Sequence, residues 1–174
     1  MKKIKDYETT QAAKEFNRIP AGGYVCVIKK VEDNEQGGYL YLEVDIVEGD
    51  WKNYAIDTME RAGFWPLKFY RNYGGKSLPF FKAFIEAVEQ TNSRFKWDWD
   101  EQKLVNKGVG IVFQEQEYES NKDGRIRTKL VPFSFTTANK IRDGEFTVPA
   151  PKLLDHVTAS PVFEEEEDDG ELPF

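Results

Sequence analysis

Rings and cations are mixed through residues 61–85, and no carboxylate interrupts them. Arg61, Lys68, Arg71, Lys76 and Lys82 are interleaved there with Phe64, Trp65, Phe69, Tyr70, Tyr73, Phe80, Phe81 and Phe84. Flat rings stack on nucleobases and cations neutralise phosphates, so this is the mixture that binds a single nucleic-acid strand without reading its sequence. Phe81 and Phe84 recur at helical spacing and read as core. Trp65, Tyr70 and Tyr73, with Lys68, Arg71 and Lys76, precede that helix and run into Gly74-Gly75, which reads as a loop or strand edge. They are candidates for stacking and phosphate contact.

A second set lies in a predicted hairpin. Asn121-Lys122-Asp123-Gly124 is a turn signal between a strand over 109–118 and a strand over 125–135. A two-residue loop pairs Tyr118 with Lys129, and a four-residue loop pairs Tyr118 with Arg127 and Gln116 with Lys129. The two registers differ by two residues, so facing is the same in both. Arg125, Arg127, Lys129, Tyr118 and Gln116 share one face, while Glu115, Glu117 and Glu119 take the other. Pro132 suits an edge or a bulge.

Strand residues 39–47 alternate: Leu40, Leu42, Val44 and Ile46 face one side, and Tyr39, Tyr41, Glu43 and Asp45 the other. Tyr39 and Tyr41, with Trp51 and Tyr54 close behind, form a third candidate set. Glu43 and Asp45 on the same face would repel phosphate, so a nucleic-acid backbone is expected to pass the Tyr39 end.

The elements that must position these residues are mainly β. A short helix is expected over 6–17 with Asp6 as its cap, then a first strand over 24–31 and a turn over 33–38. The second strand follows, and a third is expected to start within 51–58. A helix begins after Ser77, with Pro79 in its first turn, and ends near 90–93. The hairpin completes five strands. Three strands, a helix and a hairpin is the order of an OB-fold, a five-stranded Greek-key barrel that binds oligonucleotides. The organisation is an N-terminal extension (1–18), an OB-fold-like domain (19–149), a linker (150–163) and a tail (164–174).

That tail reads EEEEDDGELPF. The chain has 31 acids and 24 bases, and seven of the acids lie in the tail, so the body carries 24 of each and is formally neutral. A block this acidic is expected to stay solvated and disordered. Its apolar end, Leu172-Pro173-Phe174 behind Asp168, Asp169 and Glu171, offers a ring to a pocket and acids to a basic rim. A plain solubility tail would not need Leu-Pro-Phe.

These last residues resemble the tail of bacterial and phage single-stranded-DNA-binding proteins, which runs through consecutive acids into a small apolar residue, Pro and a final Phe. Gly170-Glu171 departs from the usual pattern but keeps a charge. The stretch 19–144 also resembles, diffusely, a phage-encoded family considered similar to those proteins. The resemblance implies single-stranded DNA as ligand, replication or recombination proteins recruited through the tail, and the capacity to assemble with copies of itself. Two other readings remain open: a partner-binding protein that mimics such a tail without binding DNA, and a strand-annealing recombination protein.

Other chemistry finds little support. Cys26 lies in an apolar run and reads as a small buried hydrophobe, and His156 is the single histidine, so neither a disulfide nor a zinc site is expected. Trp97-Asp98-Trp99-Asp100-Glu101 clusters carboxylates without a second acidic motif or a catalytic base. Gly74-Gly75-Lys76-Ser77 lacks the glycine spacing of a phosphate-binding loop. The expectation is no enzyme and no cofactor. With no membrane-spanning run and no leader pattern, a cytoplasmic location is expected.

Overall fold

The computed structural model describes residues 1–9 and 18–154. Eight elements carry the fold: β1 (Gly22–Asn34), β2 (Tyr39–Ile46), α1 (Tyr54–Ala62), β3 (Lys68–Asn72), α2 (Leu78–Thr91), β4 (Gly108–Glu119), β5 (Ile126–Thr136) and α3 (Ala138–Arg142). The strands form one antiparallel sheet in the order β3-β2-β1-β4-β5. Within it the order 4-1-2-3 is that of a Greek key, in which the fourth strand returns beside the first.

Alternation built the core as the sequence suggests. Leu40, Leu42, Val44 and Ile46 on β2 are all buried. On β1 the inward residues shift from Cys26 and Ile28 to Val31, because a bulge between Ile28 and Lys30 inserts one residue and inverts the facing beyond it. On β4, Val109, Ile111 and Phe113 point into the core, and α2 adds Phe81, Phe84, Ile85 and Val88 to the same cluster. Gly110 faces the opposite way, where α3 packs. A Cβ there would lie 2.6 Å from Ile141 Cγ1 and 2.7 Å from the Thr137 carbonyl oxygen, so only glycine lets α3 approach so closely.

The sheet does not close. Among the described residues β3 and β5, its two outer strands, share no backbone pairing, and side chains span the seam between them. Phe69 of β3 lies 5.6 Å from Phe135 of β5, Arg71 sits 4.9 Å over the Phe135 ring, and Phe84 of α2 meets that ring at 4.9 Å. The helix thus fills one end of the gap with apolar surface.

Three expectations need correction. Residues 51–58 do not start a strand: a turn leads into α1, whose Tyr54, Ala55 and Thr58 are buried at helical spacing. The third strand lies later, at Lys68–Asn72, within the stretch read as a loop or strand edge. Asp45 does not face solvent. It is buried beneath α1, where Oδ1 accepts from the Ala55 and Ile46 backbone N–H groups (both 2.8 Å) and Oδ2 accepts from Ile56 N–H (3.2 Å). Asn53, in the left-handed conformation at the start of α1, makes no side-chain cap, so Asp45 supplies one from β2. The helix between β3 and β4 was expected and is α2. Ser77 precedes it, but its side chain makes no capping bond. Of the helix expected over 6–17, residues 6–9 form turns, and the rest lies outside the described residues.

Candidate nucleic-acid interface

The β4–β5 hairpin adopts the four-residue-loop register. Tyr118 pairs with Arg127 and Gln116 with Lys129, and Ser120 N–H bonds to the Arg125 carbonyl (2.8 Å) across the turn. Lys129 Nζ stands 5.3 Å from the centre of the Tyr118 ring, a cation–π distance on the expected cationic face. The acids of the other face are engaged elsewhere: Glu115 accepts from Arg18 (3.0 Å), and Glu117 accepts from Leu154 N–H (3.1 Å). At the tip, Asp123 takes a bond from Arg127 Nη2 (2.7 Å) and one from the Arg125 backbone N–H (3.0 Å). These donors, backbone first, hold its carboxyl below the usual aspartate range.

Between the hairpin and the chain entering β3 lies a cleft of about 500 Å³. Trp65, Pro66 and Lys68 line it together with Tyr118, Arg125, Arg127, Lys129 and Arg18, and the mostly buried Tyr54 reaches its wall. Residues 65–68 and 118–129, at least fifty positions apart in sequence, thus meet beside the β3–β5 seam. The Trp65 indole is half-buried and oriented by its N–H bond to the Val44 carbonyl (2.9 Å).

A second, broader concavity of about 890 Å³ adjoins the first on β3. Tyr39, Tyr41 and Tyr70 form its aromatic surface. Tyr70 lies 5.0 Å from Tyr39 and 5.5 Å from Tyr41, and Lys30 Nζ stands 5.7 Å from the Tyr41 ring. Lys68 lines the cleft and Tyr70 lines this concavity. As alternate residues of one strand, they share its outward face and join the two surfaces. Glu32, Asp33, Glu35 and Glu101 border the tyrosines. Carboxylates therefore stand beside Tyr39, while Glu43 lies across from Lys68 in the β2–β3 register and accepts from the Tyr41 hydroxyl (2.8 Å), so acids flank the tyrosines at both ends.

The remaining candidates are dispersed. Tyr73 packs edge-on against Phe81 (5.7 Å), and its hydroxyl donates to Asp33 (2.8 Å). Burial, helped by Asp33, pushes its pKa up to about 12. Arg71 faces inward over Phe135; its Nε is buried without a partner, and desolvation lowers its pKa. Trp51 packs against the core, edge-on to Tyr54 at 5.9 Å. Lys76 is exposed in the 3-10 turn Gly75–Ser77 and lines neither concavity. The tail residues Asp168, Asp169, Glu171, Leu172, Pro173 and Phe174 lie outside the described residues, as does His156. Cys26 is fully buried, and burial raises its thiol pKa.

Arg18, Lys30 and Asp123 were not among the sequence-based candidates. Arg18 had no local signal, since its partners Glu115 and Thr128 lie about a hundred residues away. Lys30 sits in the mixed run Lys29-Lys30-Val31-Glu32 of β1, which carries no ring, and Asp123 was visible only as a turn former. No family model matches this chain, and no curated protein matches it. Among the described residues no group of three His, Cys, Asp or Glu could hold a metal ion, and no helix is long and apolar enough to cross a membrane.

Proposed function

We propose that this protein binds single-stranded DNA without sequence preference, through an OB-fold-like body whose ligand path runs from the hairpin cleft onto the tyrosine face. The observation that carries the reading is the junction on β3. A cleft with five cations at its walls continues, one residue pair along the same strand face, into three clustered tyrosine rings. Phosphates are held at the cleft and bases stack on the tyrosines, the division of labour that sequence-independent strand binding needs. Greek-key strand order, the helix between β3 and β4, and the position of the site on the second and third strands beside the last hairpin all agree with an OB-fold. The outer strands of the open sheet are bridged by Phe69, Arg71 and Phe135 in place of a hydrogen-bonded ladder.

The acidic tail recruits replication or recombination proteins and competes for the cleft while no DNA is bound. Its tether supports this. Gln114 Nε2 donates to the Ala150 carbonyl (2.7 Å), Lys152 pairs in parallel with Gln116, and Leu154 bonds Glu117 beside Tyr118. The chain therefore leaves the body along β4, on the Glu117 side of the hairpin, and ten further residues, at most about 33–36 Å when extended, reach Glu164.

The test is a titration of labelled oligo-dT with the full chain and with a chain ending at Phe163, across a salt series. Binding by both, with quenched intrinsic fluorescence and a log–log salt slope of about −0.7 per phosphate contact, is the expected outcome. The shorter chain binds more tightly at low salt. Absence of binding by both overturns the reading.

A further inference from the structure

The hairpin tip already holds an anion. Asp123 Oδ2 lies 2.7 Å from Arg127 Nη2 and 3.8 Å from Arg125 Nε, while Oδ1 accepts the Arg125 backbone N–H at 3.0 Å. We infer that Arg125 and Arg127 form a phosphate subsite, and that the Asp123 carboxylate occupies it while no strand is bound. The inference rests on the single-strand reading and gives that reading a position for one backbone phosphate.

One guanidinium and a backbone N–H bond the two carboxylate oxygens, and a second guanidinium stands within ion-pair range, a set that suits phosphate oxygens as well as a carboxylate. The turn itself does not need the charge. Its ends are closed by Ser120 N–H to the Arg125 carbonyl and by Gly124 N–H to the Ser120 carbonyl, both 2.8 Å, and Gly124 takes the left-handed conformation the turn requires (φ 66°). An asparagine would still accept the Arg125 N–H. What the negative charge does is hold the two arginines together. The subsite is also accessible: the Arg125 side chain is 79% exposed, and Arg127 lines the cleft beside Tyr118 and Lys129.

An arriving phosphodiester thus exchanges with Asp123 and meets arginines that are already gathered. The carboxylate lowers affinity, since its ion pair must be broken, and it offsets one of the two arginine charges when the cleft is empty.

The experiment compares wild type, D123N, R127Q and the D123N/R127Q double variant, all as full chains, binding labelled oligo-dT across a salt series. Breaking an exposed ion pair changes an equilibrium a few-fold, so D123N is expected to bind about two- to fivefold more tightly at low salt. Its salt slope steepens by up to about 0.7, one phosphate contact. R127Q weakens binding, and in its background the gain from D123N disappears. A D123N variant that binds no better than wild type overturns the subsite while leaving the single-strand reading intact. A gain that persists in full without Arg127 also overturns it, because the carboxylate would then act only through the general field. Absence of oligo-dT binding by every form overturns both.

Discussion

Replacing Lys68 and Lys129 together by alanine tests the path where the cleft meets the tyrosine face. Lys68 opens β3 where the cleft passes into the tyrosine face, and Lys129 stands over Tyr118 on the opposite wall. If each meets one phosphate, the double variant loses two contacts and the log–log salt slope falls in magnitude by about 1.4. At about 0.1 M salt a slope of 0.7 makes each contact worth roughly a factor of five, so affinity falls about 25-fold, or about 2 kcal/mol. Fluorescence anisotropy with labelled oligo-dT at several salt concentrations reads both quantities. The control is a second double variant, Lys82→Ala with Lys96→Ala. Both side chains are exposed, at 75% and 84%, and neither lines either concavity. The control removes the same net charge and is expected to leave the slope unchanged. Equal losses in the two variants would refute the path, because binding would then depend on total charge and not on the cleft.

Three further outcomes follow from the same geometry. Tyr70→Ala removes the ring between Tyr39 and Tyr41 and is expected to weaken oligo-dT binding by about 1–3 kcal/mol, while Tyr70→Phe keeps the stacking surface and most of the affinity; wild-type binding by the alanine variant would take the tyrosine face off the path. Asp45→Ala strips two buried backbone N–H groups and a half-buried one of their acceptor and uncaps α1. A loss of about 2–4 kcal/mol in urea unfolding is expected, and less than about 1 kcal/mol would contradict the capping role. Alkaline pH should destabilise the fold through Tyr24 and Tyr73, both pushed up to about 12, chiefly by burial. The folded chain keeps phenolic protons that the unfolded chain releases near pH 10, so this stability is complete below about pH 10 and lost as pH rises towards 12. Urea midpoints measured from pH 9 upwards, for wild type and Tyr73→Phe, check the sign; an equally steep decline in both would exclude Tyr73 as a source.

What could be read from the chain followed the range of the interactions involved. The alternation in β2, the two hairpin faces and the Phe81/Phe84 stripe of α2 are local periodicities, and they reappear in the fold. The segment 51–62 misled because nine helical residues show only about two and a half turns of pattern, and Trp51, Tyr54, Ile56 and Thr58 are residue types that strands also favour. Its helical cap lies outside the segment, on Asp45, so no local motif announces the helix. The same limit applied to the site. Each half of the cleft was recognisable by composition, but their meeting depends on β3 and β5 lying at opposite ends of one sheet that curls until those ends face each other. Sequence spacing carries no trace of that curl. On the proposed reading, the curl is what lets a formally neutral body bind a polyanion: bases distant in sequence are concentrated at one seam, while Glu32, Asp33, Glu35 and Glu101 gather beside the tyrosines. A strand bound as proposed is held at one end by charge and at the other by stacking. Added salt should therefore weaken its grip at the cleft well before it disturbs the rings.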